Sequence, residues 1–215
     1  MSFFVKLFQL VNVLSAKYNI DESHGIIHSM QILHYADNIY ENEKYNYPIL
    51  QNETQKKIIY TAAILHDMCD KKYMDEEEGI LEMHDRWNNI FVGETDYKNT
   101  LDIATEIMKT MSYSKVKKSG FPDLGEYQMA YHIVREADLL CAYDFDRSMI
   151  YNIRKNNCDI LEGYQNAHSI FRDRILRHSI DNLFVTEYAK KKSMQLHIQS
   201  IQRIMSWKKI LGSTV

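Results

Sequence analysis

The chain has 215 residues, enough for one ordinary domain with a hydrophobic core of its own. Its 26 Lys and Arg residues are outnumbered by 29 Asp and Glu residues, for a formal charge of −3, which argues against a dedicated binder of nucleic-acid duplexes. Only 7 Gly and 2 Pro residues occur, and this scarcity favours a helical protein.

The cysteines and the apolar segments bear on the compartment. Cys69, Cys141 and Cys158 are odd in number and too scattered for a zinc knuckle or a disulfide framework, which predicts a reducing, cytoplasmic location. No run of about 18 uncharged apolar residues occurs, so we expect a soluble protein without a transmembrane helix or a membrane partner.

Helical periodicity recurs from end to end, and no stretch alternates as a strand does, so the sequence predicts an all-α bundle. The apolar segment 1–16 is interrupted by polar residues and predicts an amphipathic first helix rather than a signal peptide. A second helix is expected after the N-cap residue Asp21, up to about Tyr40, followed by a loop containing Pro48. The third, at about 53–68, has a largely apolar second half that must be buried.

The remainder of the chain continues the helical pattern with one long interruption. Ser112–Gly125 contains Gly, Pro and Lys residues and is expected to be a loop. Further helices are predicted at about 80–91, 100–111, 126–143, 148–154, 160–191 with a break, and 193–211. We expect one domain over 1–215, with site-bearing helices at about 21–143 and C-terminal helices at about 144–211.

His66 and Asp67, in the sequence AAILHDMCDKK, are the most informative residues. Adjacent residues of a helix point about 100° apart, so both can reach one cation only where the helix ends. An imidazole nitrogen and a carboxylate oxygen suit a divalent metal. A core histidine followed by a loop acid would give the same dipeptide.

Two further features favour a site. His24 and His28 are four residues apart in the second helix and so lie on one face. Asp138 lies in a later apolar helix, IVREADLL, where a buried carboxylate needs a cation; Arg135 and a metal are the candidates.

In this order, His28, His66-Asp67 and Asp138 resemble the H…HD…D signature of the HD superfamily of metal-dependent phosphohydrolases. The sequences SHGIIHSMQILHYA, AAILHDMCDKKY, READLLCAYDFDR and LFVTEYAKKKSMQLH are similar to compact bacterial-type HD hydrolases that act on nucleotides, so the resemblance covers most of the chain. It implies a single HD-domain helical bundle in which these four residues bind one divalent metal ion. The N and O donors favour Mn, Mg, Co, Ni or Fe over zinc, because no thiolate is among them.

The resemblance also implies roles for residues around the metal ligands. Asp67 would serve catalysis through the metal, and Asp70 would orient or deprotonate the attacking water. Lys71, His24 and Lys115 are candidates for contacts with the substrate. For Asp70 and for the two lysines, an ordinary surface residue is the alternative.

The sequence also departs from the family's pattern. Met111 stands where two-metal relatives often have a histidine, which favours a single metal. A second dipeptide, His84-Asp85, lacks an apolar turn before it and is interpreted as a surface coincidence, with a substrate contact by His84 as the alternative. Cys69 adjoins the site but has no dedicated base, so we do not expect it to be a nucleophile.

The sequence therefore predicts a metal-dependent phosphohydrolase acting on a nucleotide or another small phosphorylated metabolite. Two reactions remain open: release of pyrophosphate from a nucleoside triphosphate, and release of orthophosphate from a monophosphate. Two other functions also remain. One is a catalytically weak HD module that binds a nucleotide as a signal, and the other is a phosphodiesterase of cyclic nucleotides or oligonucleotides.

Overall fold

The computed structural model describes residues 2–92 and 96–212 and is all-α within them, which confirms the predicted fold class. Short 3₁₀ turns lie at Pro48–Gln51, Gly125–Tyr127 and Ile175–Arg177. The α-helices in these described ranges are α1 (Phe3–Tyr18), α2 (Ile26–Glu43), α3 (Glu53–Leu65), α4 (Glu76–Ile90), α5 (Asp96–Thr110), α6 (Tyr113–Ser119), α7 (Gln128–Cys141), α8 (Phe145–Asn156), α9 (Ile160–Asp173) and α10 (Glu187–Ile210).

The chain consists of two compact units, Met1–Ala137 and Asp138–Val215. The first contains α1 to α6 and most of α7, and the second contains the end of α7 and α8 to α10. The single HD domain over residues 1–215 stays a prediction. Within the described ranges, no helix is sufficiently long and apolar to cross a membrane.

Helix α3 forms the centre of the first unit and packs against α1, α2 and α5. Every residue from Ile58 to Leu65 is buried, which confirms the prediction for its second half. A helix that is apolar on all sides must be enclosed by its neighbours. The buried segment extends to the last residue of α3, so the next polar side chains lie where the chain leaves the core.

Helix α1 is amphipathic, as the sequence predicts. Its apolar face contributes Leu7, Leu10, Val11 and Leu14 to a core that also contains Trp87 of α4. At the border of this core, Glu82 of α4 accepts hydrogen bonds from Lys17 and Tyr18 of α1. The first unit thus combines an apolar interface between these helices with a polar contact at its edge.

In the second unit, α8 and α9 approach each other closely at Gly163. A Cβ atom at this position would lie 2.3 Å from Cγ1 of Ile153, so only glycine fits without a shift. The ring of Phe145 packs edge-on against those of Tyr164 and Phe171. Helix α10 joins this core through Ser200, whose hydroxyl donates to the main-chain oxygen of Tyr143.

Several helix starts differ from the sequence-based expectations: α4 begins at Glu76 rather than about Ile80, and α8 begins at Phe145 rather than Ser148. Two further differences have a local explanation. Helix α2 begins at Ile26 rather than directly after Asp21, because the Asp21 carboxylate accepts a hydrogen bond from the main-chain N–H of Ser23 at 2.8 Å and forms a turn instead of a helix cap. Helix α10 begins at Glu187, earlier than the predicted Ser193, because Thr186 caps it through the N–H of Ala189.

The predicted loop Ser112–Gly125 contains the short helix α6, so that prediction was wrong over Tyr113–Ser119. The Ser112 hydroxyl accepts from the main-chain N–H of Lys115, and Val116 is buried. This N-cap and the buried Val116 stabilise about two turns of helix in a lysine-rich segment.

Candidate metal centre

The ends of two neighbouring helices bring the first candidate ligands together. His28 lies in the first turn of α2, whereas His66 and Asp67 directly follow the last residue of α3. The hydroxyl of Ser29 donates to the main-chain oxygen of Ile64 at 2.8 Å. Ser29 directly follows His28, and Ile64 lies two residues before His66, so this bond joins the two helices beside the candidate ligands.

The ligand atoms of His28, His66 and Asp67 form a nearly equilateral triangle. The two Nε2 atoms are 3.2 Å apart, and Oδ2 of Asp67 is 3.2 Å from Nε2 of His28 and 3.1 Å from Nε2 of His66. Two atoms that each lie about 2.0 to 2.2 Å from one ion are roughly 2.8 to 3.6 Å apart at right-angled to tetrahedral positions. The spacing of these three side chains therefore fits a single divalent cation.

The hydrogen bonds of His66 favour the protonation state of a metal ligand. Its Nδ1 lies 3.0 Å from the main-chain oxygen of Ala63, and because a carbonyl only accepts, Nδ1 must carry the hydrogen. In the neutral ring, the lone pair is then on Nε2, which points toward His28 and Asp67. Metal-bound histidines commonly have their other nitrogen fixed in this way.

Asp67 provides the negative charge of the group. Burial raises the pKa of its carboxyl, but the adjacent imidazoles of His66 and His28 outweigh this effect and hold the pKa well below its ordinary value. The side chain of Asp67 keeps 15% of its surface exposed, against 1% for His28. The ionised oxygen donor of the group is therefore partly exposed to solvent, whereas the imidazole of His28 is buried.

Asp70 follows the candidate ligands His66 and Asp67 in a tight turn. Its main-chain N–H donates to the oxygen of Asp67 at 3.2 Å, and its Oδ1 accepts from the main-chain N–H of Lys72 at 2.9 Å. The Nζ atom of Lys72 lies 3.2 Å from Oδ2 of Asp70, whereas Lys71 is an exposed residue of the same turn. The catalytic role of Asp70 and the substrate contact by Lys71 stay predictions.

His24 lies beside the ligand triangle, with its ring centre 6.1 Å from that of His28. Its Nδ1 is 2.8 Å from the Ser23 hydroxyl and 2.9 Å from the Tyr73 hydroxyl, and its Nε2 is 3.3 Å from Nζ of Lys72. His24 is therefore held by neighbours on both sides of its ring. This position is compatible with the predicted contact to substrate.

The sequence-based interpretation missed two residues of this neighbourhood, Lys72 and Tyr73. For Lys72, the sequence contained one signal, its spacing of two residues from Asp70. An aspartate often accepts a hydrogen bond from the main-chain N–H two residues later, and the turn that results brings the two residues together. Tyr73 contacts both His24 and Asp21 across about fifty positions of sequence. No local pattern indicates such a contact.

Asp138 lies on α7, at the start of the second unit, and is partly exposed. Its role as fourth ligand stays a prediction. Arg135, the alternative cation considered for it, has Nη2 3.2 Å from Oε1 of Glu136 and its guanidinium 4.7 Å from the ring centre of Phe121.

Lys115 and Met111 lie at the ends of neighbouring helices. The Nζ atom of Lys115 donates to the main-chain oxygen of Lys109 at 2.6 Å and lies 3.3 Å from Oε1 of Glu76, at the N-terminus of α4. Its contact with substrate stays a prediction. Met111 is a buried residue just after α5.

His84 and Cys69 have packing roles in the first unit. Nε2 of His84 lies 3.1 Å from the Thr105 hydroxyl, across the interface of α4 with α5, and burial lowers the pKa of His84. Burial also raises the pKa of the Cys69 thiol to about 12. A thiol that remains protonated agrees with the expectation that Cys69 is not a nucleophile.

Within residues 2–92 and 96–212, His28, His66 and Asp67 form the one group of His, Cys, Asp or Glu side chains with metal-binding spacing. A scan of protein-family models, a search of curated proteins and a search of solved structures each found no match to this chain.

Proposed function

We propose that the chain is a metal-dependent phosphohydrolase of the HD type that acts on a nucleotide or another small phosphorylated metabolite. The observation that carries this proposal is the triangle of two imidazole nitrogens and one carboxylate oxygen, with sides of 3.1 to 3.2 Å. The order of the motif residues along the chain supports it.

The donor set indicates what chemistry the site would support. A divalent cation held by His28, His66 and Asp67 would supply Lewis-acid activation of water and would offset the negative charge of a phosphate. Asp67 contributes the ionised oxygen, and His66 presents a lone pair fixed by its bond to Ala63. Asp138 is the fourth ligand in this proposal.

Asp70 is the residue proposed to orient the attacking water. Its side chain is fixed by the main-chain N–H of Lys72, and it lies three residues after Asp67, in the turn that leaves the metal ligands. A carboxylate held in this way can accept a proton or a hydrogen bond from a water molecule. Lys71 and Lys115 remain sequence-based candidates for contacts with the phosphates.

The function is tested by metal analysis of the purified protein, followed by a screen for phosphate release from nucleotides with added Mn²⁺ or Mg²⁺. We expect Asp67→Ala to abolish hydrolysis while the circular dichroism spectrum stays unchanged. Asp85→Ala, in the second His-Asp dipeptide, is the matched control and should retain parental activity. Parental turnover by Asp67→Ala with added metal would contradict the proposed site.

The products distinguish the remaining reactions. With a nucleoside triphosphate, we expect a nucleoside monophosphate and pyrophosphate; with a monophosphate, we expect orthophosphate. Chromatography of the nucleotides combined with phosphate detection separates these outcomes. Nucleotide binding without turnover would identify a signalling module instead, and cleavage of cyclic or oligomeric nucleotides alone would identify a phosphodiesterase.

A further inference from the structure

Lys72 has a defined position between two hydrogen-bond acceptors. Its Nζ atom is 3.2 Å from Oδ2 of Asp70 and 3.3 Å from Nε2 of His24. A carboxylate only accepts hydrogen bonds, and an ammonium group only donates them. Both contacts therefore favour the charged form of the lysine, so a positive charge is held at this point.

Asp21 sets the tautomer of His24. Burial raises the pKa of Asp21, but hydrogen bonds from Ser23 and Tyr73 outweigh it and lower the pKa below its usual value. The hydroxyl hydrogens of Ser23 and Tyr73 therefore point to an anion, and their oxygens accept from Nδ1 of His24. The lone pair of His24 is then on Nε2, where it accepts from Lys72.

The same two neighbours place this ammonium beside the candidate metal ligands. The ring centres of His24 and His28 are 6.1 Å apart, and the main-chain N–H of Asp70 donates to the oxygen of Asp67 at 3.2 Å. The Lys72 side chain keeps 44% of its surface exposed. Lys72 is therefore linked to the candidate ligands through one residue on each side, His24 next to His28 and Asp70 next to Asp67.

We propose that Lys72 binds a phosphoryl oxygen of the substrate and that His24 and Asp70 position its ammonium group for this contact. This inference rests on the proposed phosphohydrolase function and assigns to Lys72 the recognition of a phosphoryl oxygen in a phosphate ester or anhydride. Lysine binds phosphate as a point charge with three donors. Charge on the phosphoryl oxygens is what a site for phosphoryl transfer has to stabilise.

The test uses the full chain loaded with Mn²⁺ and inorganic phosphate as the probe. We expect Lys72→Met to weaken phosphate binding, measured by calorimetry, about tenfold, which corresponds to the loss of one charge-assisted hydrogen bond. The KM for the substrate should rise by a similar factor, and Lys72→Arg should restore most of the loss. Lys98→Met, at an exposed position of α5, is the control and should match the parent.

Two further measurements separate this contact from a structural role. The bound metal per chain should be the same in the parent and in Lys72→Met. The decrease of phosphate affinity with added salt should be steeper in the parent, because the variant has lost a charge. An unchanged phosphate affinity in Lys72→Met, or an equal loss in the Lys98→Met control, would overturn the inference.

The outcomes also separate this inference from the proposed function. Hydrolysis by the parent combined with normal phosphate binding by Lys72→Met would refute the role of Lys72 and leave the phosphohydrolase function standing. If the metal-loaded parent neither bound phosphate nor hydrolysed any phosphorylated substrate, both would be refuted.

Discussion

The Nε2 atoms of His28 and His66 lie 3.2 Å apart, although the two residues belong to different helices and are separated by 38 positions. Two imidazole nitrogens at this distance need a proton or a cation between them, because their lone pairs repel each other. The carboxylate of Asp67 completes the arrangement. Metal binding is accordingly the property of the site that can be tested most directly.

Replacing one imidazole should remove the metal. We expect His66→Ala to lose most of the Mn²⁺ bound by the parent and also the rise in melting temperature that Mn²⁺ produces, because only one nitrogen and one oxygen of the described triangle remain. Metal content by mass spectrometry and thermal unfolding check this. His34→Ala, at an exposed position of the same helix as His28, should behave as the parent. Undiminished metal content in His66→Ala would exclude the proposed ligands.

Asp138 is tested independently as the fourth ligand. If it binds the metal, Asp138→Asn should lower the affinity for Mn²⁺ at least about tenfold, because an amide oxygen without charge replaces a carboxylate. Titration with Mn²⁺ followed by calorimetry measures the change. Asp102→Asn, on the exposed side of α5, is the control. Equal affinities in the parent and Asp138→Asn would limit the site to the three described ligands.

Glu82 should stabilise the first unit in a pH-dependent way. Although burial raises its pKa, hydrogen bonds from Lys17, Tyr18 and Arg86 lower it to about 2 from an ordinary value of 4.5. A group with a depressed pKa in the folded state stabilises the protein above the unfolded pKa, and this contribution disappears as the pH falls toward the folded pKa. The stabilisation should therefore be complete at pH 7 and shrink between pH 4.5 and 2.

Glu82→Gln checks this dependence. We expect the variant to lower the free energy of unfolding by about 1 to 2 kcal/mol at pH 7, and by clearly less at pH 3.5. Urea unfolding at both pH values gives the two differences. Glu106→Gln, at an exposed position of α5, should change the free energy of unfolding little at either pH. A loss that is the same at both pH values would rule out the carboxylate's charge as its cause.

Gly163 should be intolerant of any side chain. Alanine is the better helix former by about 1 kcal/mol, but its Cβ would meet Cγ1 of Ile153 at 2.3 Å. We expect Gly163→Ala to destabilise the protein by about 1 to 2 kcal/mol, because overpacking outweighs the gain in helix propensity. In Ile153→Ala the same substitution should cost less, and urea unfolding of the four variants forms the test. Additive losses would show that the two residues do not interact.

The helices could be predicted where their apolar residues are periodic or form a continuous run. Helix α3 is an example of a continuous run. Its apolar second half allows only a buried helix, so its place and its polar end could be inferred together. The start of α2 could not, because Asp21 is equally suited to cap a helix or to form a turn. The turn prevails because its carboxylate accepts from Ser23 and Tyr73.

The motif residues of the site could be predicted from the sequence. His28 lies at the start of one helix, and His66 and Asp67 lie at the end of another. The order of the motif residues indicates that these two helix ends are close together. The choice between Lys71 and Lys72 could not be made from sequence, since the two lysines are adjacent and follow Asp70 by one and two residues. Lys72 differs from Lys71 because its main-chain N–H donates to the Asp70 carboxylate and its Nζ atom lies beside the ring of His24, which is distant in sequence.

The bond from the Ser29 hydroxyl to the main-chain oxygen of Ile64 has a thermodynamic consequence for the candidate site. It joins the two helices beside the site in the folded chain, where the ligand atoms already lie 3.1 to 3.2 Å apart without an ion. The conformational entropy of bringing them together is then lost in folding and does not oppose binding. An ion of the right size would encounter a preorganised pocket, and its affinity would be set mainly by dehydration and by bond strength.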